Sequence, residues 1–179
     1  SVTSILNMIA KPQLDTWKQK QVAIAAAKSP KTPEESEDYY ARRIIDAAFE
    51  QVSDAAELGS AIHAALENAL DGHTVAENLR AYVDPVVSWQ TRKGITLDDR
   101  ERILVNTQFG FAGTVDAVGR GKQGTPFVLD YKTRKTQPGK PVLPYDGQAA
   151  QIAAYAVTHW ADEFSSCYGA NVYIFCNVW

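Results

Sequence analysis

Apolar positions recur every three to four residues over 1–94 and mostly every second residue after that, which predicts a helical first half followed by a strand-rich second half. A cap at Thr3 or Ser4 opens a short helix to about residue 10, and Pro12, placed at a first helical position, opens a longer one to about 28. Pro30 marks a turn. Thr32-Pro33-Glu34-Glu35 has the form of a capping box and predicts a helix to about 52, with Tyr40, Ile44, Ile45, Ala48 and Phe49 on one face. A further helix is expected over 54–70, stopped by Asp71-Gly72. A second box, Thr74 with Glu77, starts a helix that Pro85 kinks or divides and Gly94 ends.

From 103 to 119, Val, Thr and Phe alternate around Gly110 and Gly113, as in two strands or one bent ribbon. Residues 121–126 read as a loop and 127–133 as a strand. The prolines and glycine of 136–144 read as a loop, Tyr145 or Asp146 opens a long helix to about 164, and 171–179 forms a closing strand. This order predicts an α/β fold in one domain, 1–179. A mixed sheet flanked by helices occupies 95–179 and a mainly helical portion occupies 1–94. The short strand connections require at least one antiparallel pair.

Composition changes this picture little. Apolar residues make up 45% and charged residues 22% of the 179, ordinary for a globular protein. No apolar run is long and uninterrupted enough for a membrane span, and no basic segment followed by an apolar run suggests a secretory leader. Two cysteines, Cys167 and Cys176, cannot hold an iron–sulfur cluster and read as cytoplasmic thiols. The net charge of −3 runs against a simple electrostatic nucleic-acid binder, although Lys132, Arg134, Lys135 and Lys140 concentrate positive charge in one stretch.

The candidate chemistry lies in Phe127-Val128-Leu129-Asp130-Tyr131-Lys132. Alternation puts Asp130 and Lys132 on one strand face and Leu129 and Tyr131 on the other. A hairpin-like connection would bring Asp116, at the end of Gly113-Thr114-Val115-Asp116, beside Asp130. Two converging carboxylates make a hard oxygen site suited to Mg²⁺ or Mn²⁺. A lysine beside it can hold an attacking water and offset charge on a phosphodiester. Taken alone, a strand Asp-x-Lys is a surface ion pair.

The full set is Gly59-Ser60-Ala61-Ile62-His63 with Glu67, then Gly113-Thr114-Val115-Asp116, Asp130-Tyr131-Lys132 and Gln151-x-x-x-Tyr155. In that order it resembles the RecB-like branch of the PD-(D/E)xK nucleases over roughly 53–155, and 3–17 is also similar to the opening of some members. The resemblance implies a restriction-endonuclease-like fold and a Mg²⁺- or Mn²⁺-dependent DNA exonuclease. Such an enzyme acts on single strands or duplex ends in repair, recombination or phage DNA processing, with a recombination or replication protein as a possible partner. It implies metal ligation by Asp116, Asp130, the Tyr131 carbonyl and His63, and a charge-stabilising role for Lys132. Gln151 and Tyr155 would line the site and contact the DNA backbone or the lysine.

Other residues are read beside these. His63 by itself would pair with Glu67 one turn on. Glu101 is a candidate additional acid, as is Glu67. Gln148, Gln151 and Tyr155 form a polar stripe on an otherwise apolar helix, which faces solvent or an active-site cleft, and Gln148 is a candidate DNA contact. Arg134, Lys135 and Lys140 suit either a solvated loop or phosphate contacts. The competing function is a non-catalytic DNA-binding or assembly subunit that keeps a nuclease fold.

Overall fold

A serine cap opens one long helix and left-handed glycines mark three other helix ends, but several boundaries fall elsewhere than expected. The computed structural model describes residues 2–7, 12–134, 136, 141–145 and 147–176. Helices α1 (Val2–Asn7), α2 (Pro12–Lys28), α3 (Glu37–Leu70) and α4 (Glu77–Lys93) fill the first half. The Thr32 N–H bonds Glu35 Oε2 at 3.0 Å, one half of the expected box, but this closes a turn rather than a helix. Arg43 holds Glu35 there at 2.7 Å, and α3 starts five residues later than Thr32, with Ser36 Oγ accepting the Tyr39 N–H at 3.2 Å. The break expected near 52–54 is absent. Ser53 and Asp54 are exposed and carry only modest helix penalties, and no Gly or Pro interrupts the backbone ladder there.

One further expectation is corrected in α4: Ala76, not Thr74, occupies its N-cap, without a side-chain bond. Pro85 lies inside the helix and does not divide it. Its end is as expected: Gly94, at φ 63°, adopts the left-handed turn that glycine tolerates.

The chain divides into two compact units, Ala10–Ser60 and a second comprising 1–9 with Ala61–Trp179. In the first, Arg43 ties α3 to the end of α2 by bonding both Glu35 and Ser29. The second contains a four-stranded mixed sheet of β1 (Thr96–Asn106), β2 (Phe111–Arg120), β3 (Pro126–Arg134) and β4 (Tyr168–Phe175), in that spatial order. The β1–β2 and β2–β3 pairs are antiparallel. β4 runs parallel to β3 after a crossover through α5 (Gln148–His159).

The α/β class, the helical first half, the element order and an antiparallel pair are as the sequence suggested. α5 is shorter than expected. Trp160 leaves the helical conformation at φ −106°, sends its indole N–H to the Phe127 carbonyl at 3.1 Å, and a 3-10 turn over Ala161–Ser166 follows. The expected loop at 136–144 lies mostly outside the described residues, as does the end of the closing strand. No helix among the described residues is long and apolar enough to cross a membrane.

The core packs α5 onto the sheet: Ile152, Tyr155, Ala156 and Trp160 meet Leu104, Val115, Val118 and Val128. Backbone approach is closest at Gly119, where an added Cβ would lie 2.1 Å from the Thr96 carbonyl oxygen and 2.9 Å from the Phe127 ring. Gly119→Ala should therefore lower the unfolding free energy by about 2 kcal/mol or more, read as a reduced urea midpoint. An unchanged midpoint would contradict this packing.

Candidate metal centre

The register of the sheet builds a row of acids. β1 pairs Arg100 with Ala117 and Arg102 with Val115, which sets Glu101 across from Asp116. β2 pairs Ala117 with Leu129 and no further, so the next positions, Asp116 and Asp130, face each other where the strands fork. β3 continues to pair with β4 through Arg134, so the fork opens on the β2 side alone. There the Tyr131 N–H, left without a β2 carbonyl, donates to Asp116 Oδ2 at 2.6 Å. Glu101 holds φ 45°, a left-handed conformation that costs a non-glycine residue on the order of 1 kcal/mol.

His63 reaches the same place from α3. Its Nδ1 lies 4.0 Å from Asp116 Oδ2, and donor atoms of His63, Glu101 and Asp116 lie within 4.8 Å of one another. Among the described residues His63 forms no ion pair with Glu67; the acids beside it are Asp116 and Glu101. Glu67 is exposed, acts on Glu101 as a like charge, and lines a polar cleft of about 520 Å³ with Gln90, Thr91 and Arg100.

Asp130 is 1% exposed, and Lys132 Nζ approaches its Oδ2 at 2.6 Å. The two form a close ion pair on the buried side of the fork. Asp116 is less fortunate. Burial, and then the Asp130 charge, push its carboxyl up to about 6, against the smaller opposing effects of the Tyr131 N–H, His63 and Lys132. Burial also raises Glu101. The pocket thus holds three acids against one ammonium and one imidazole.

Tyr131 is fixed on both sides: its hydroxyl meets Gln90 Nε2 at 2.6 Å, and His63 stands edge-on to its ring at 6.3 Å. Gln90 was missed in the sequence. The signal was there, a lone amide in the Val83–Val86 apolar stripe of α4, 4% exposed.

On α5, Gln151 Nε2 donates to the Tyr155 hydroxyl at 3.2 Å. Tyr155 is 1% exposed and lies against Gly113, and burial raises its hydroxyl. It lies within electrostatic reach of Asp130, Asp116 and Lys132. Gln148, expected to face DNA, is turned inward: its Oε1 accepts the Tyr145 N–H at 2.9 Å and the Tyr173 hydroxyl at 2.8 Å. The Arg134 guanidinium lies over the Tyr145 ring, 3.2 Å from its centre. Lys135 and Lys140 lie outside the described residues.

Comparison with protein-family models and with curated proteins gives no match to this chain.

The donor set fits a divalent cation. An imidazole and carboxylates are both metal-ligating groups, and the surplus negative charge on Asp116 is what such an ion would relieve. Neighbouring donors around such an ion stand about 3 Å apart, so small side-chain rotations would complete the site.

The raised Asp116 pKa has a consequence for stability. The folded chain binds this proton more tightly than the unfolded one, so the full benefit is present below about pH 4. It is lost as pH rises through about 6. In EDTA at pH 8, Asp116→Asn should raise the unfolding free energy, by at most about 3 kcal/mol, and by much less at pH 4. Equal effects at both pH values would show that the buried charge is not the cause.

Proposed function

We propose that this protein is a Mg²⁺- or Mn²⁺-dependent deoxyribonuclease with a restriction-endonuclease-like fold, of the RecB-like PD-(D/E)xK type. The observation that carries the reading is the fork: Asp116 and Asp130 face each other across it, Lys132 is paired with Asp130, and His63 and Glu101 converge on Asp116. A purely structural ion pair would balance its charges, whereas this cluster keeps an uncompensated carboxylate.

Asp116, Asp130 and His63 are the ligands in this reading, with Glu101 a further acid and the Tyr131 carbonyl an additional ligand. The bound ion supplies Lewis-acid stabilisation of the phosphate oxygens. Asp130 positions the Lys132 ammonium beside the scissile phosphate, where it orients a water and offsets the charge that develops on the phosphorus oxygens. The Tyr131 N–H keeps the Asp116 carboxylate in one rotamer. Gln151 and Tyr155 line the site, with Tyr155 within electrostatic reach of the acids. The half-exposed side of the cluster, where His63 and Lys132 are 30% and 27% accessible, admits the DNA backbone. Linear DNA, single-stranded or at duplex ends, is the substrate.

End-labelled linear DNA, single- and double-stranded, with a closed circle beside it, tests this in Mg²⁺, Mn²⁺ and EDTA. Degradation is expected with either ion and not in EDTA. Asp116→Ala should abolish it, and Lys132→Ala should lower kcat/KM by at least about 100-fold. Degradation that survives both substitutions would refute the assignment. So would the absence of any degradation by the unsubstituted chain in either metal.

A further inference from the structure

The sheet face that carries Asp130 and Lys132 continues onto β4. In the parallel β3–β4 pair, Val128 stands beside Gly169, Asp130 beside Asn171 and Lys132 beside Tyr173. Partners in such a ladder share a face, and two contacts show that this one is turned to α5. A Cβ on Gly169 would meet Ile152 of α5, and the Tyr173 hydroxyl donates to Gln148 Oε1 at 2.8 Å. Asn171 therefore projects on the α5 side, one strand spacing (about 4.8 Å) from Asp130.

The side-chain oxygen Oδ1 of Asn171 is buried, and among the described residues it accepts no hydrogen bond. A buried carbonyl without a donor destabilises a fold, so a use for it is to be sought. Lys132 supplies a donor of the right kind. Its Nζ reaches back to 2.6 Å from Asp130 Oδ2, which brings the ammonium toward the Asp130–Asn171 pair and away from its own ladder partner, Tyr173. An ammonium has three N–H donors, and one carboxylate oxygen leaves capacity over. In this structure Asp130 holds the ammonium. When Asp130 turns its carboxylate to a divalent ion, Lys132 is a like charge beside that ion and needs a second, neutral acceptor.

We propose that Asn171 is a positioning residue for Lys132: its side-chain carbonyl accepts a hydrogen bond from the ammonium when the Asp130 carboxylate ligates the divalent ion, and so keeps the ammonium aimed at the scissile phosphodiester. This rests on the deoxyribonuclease reading and adds to it a residue from β4, outside the strand pair that forms the fork. A neutral amide suits the role, because a carboxylate at this position would add a further acid to a pocket already short of positive charge.

The test uses the full chain and end-labelled linear DNA in Mn²⁺, with Asn171→Leu, Lys132→Ala and the double variant. Asn171→Leu should lower kcat about tenfold with KM nearly unchanged, and should cost nothing further in the Lys132→Ala background, since the two residues act as one unit. Asn171→Ala, which adds no bulk, should show the same kcat pattern. Two readouts need no turnover. Mn²⁺ affinity, followed by electron paramagnetic resonance, should be unchanged in Asn171→Leu. Its urea midpoint in EDTA should equal or exceed that of the unsubstituted chain, because the leucine removes a buried acceptor without breaking a hydrogen bond.

An unchanged kcat in both Asn171 variants would overturn the role of Asn171 while the activity of the unsubstituted chain leaves the nuclease reading standing. So would a loss that multiplies with that of Lys132→Ala, or a urea midpoint that falls in Asn171→Leu, which would make the residue part of the packing. Weaker Mn²⁺ binding would also overturn it and make Asn171 a ligand instead. No hydrolysis by the unsubstituted chain would remove the nuclease reading and the role of Asn171 with it.

Discussion

The organisation of the second unit turns on one electrostatic problem: acids placed at a fork in a β-sheet with too little positive charge to balance them. Asp130 is almost fully buried and has Lys132, but Asp116 across the fork has only a backbone N–H and a distant imidazole. Its carboxyl is pushed up to about 6 as a result. Burying unbalanced carboxylates destabilises a protein, and the arrangement makes physical sense once a cation completes it.

The surrounding fold holds this arrangement open. If β2 and β3 had stayed paired past Ala117 and Leu129, Asp116 and Asp130 would sit in a closed ladder with no room for an ion. The fork is instead stabilised by giving the Tyr131 N–H a carboxylate partner and by clamping the Tyr131 hydroxyl to Gln90. Glu101 reaches the site through a left-handed backbone in an otherwise regular strand. Such strain persists only where neighbouring contacts over-determine it, and here those are the β1–β2 pairs on either side.

Much of the fold was legible because period and punctuation agreed. Gly72, Gly94 and Gly110 lie where elements end, as expected, and the change from helical to alternating pattern located the sheet. The errors came where a local signal met a stronger one. The Thr32–Glu35 box became a turn because Arg43 captured its glutamate, and Ser53-Asp54 did not break α3 because weak propensities do not interrupt a long helix. At the site, strand alternation placed Asp130 with Lys132, and the hairpin placed Asp116 beside them. What could not be read was direction across elements. Gln148 looked outward from its helical stripe but bonds Tyr145 and Tyr173, and Gln90 looked like ordinary core yet fixes Tyr131. Such choices depend on partners far away in sequence.

The central claim is that the acid cluster is built for a divalent ion. Mn²⁺ binding to the purified chain, followed by loss of the free-ion electron paramagnetic resonance signal, tests it without requiring any substrate. The account predicts binding at pH 7.5 that is weakened at least tenfold by His63→Ala and abolished by Asp116→Ala. A signal identical to that of free Mn²⁺ at millimolar ion and protein concentrations would contradict it, as would binding that neither substitution changes.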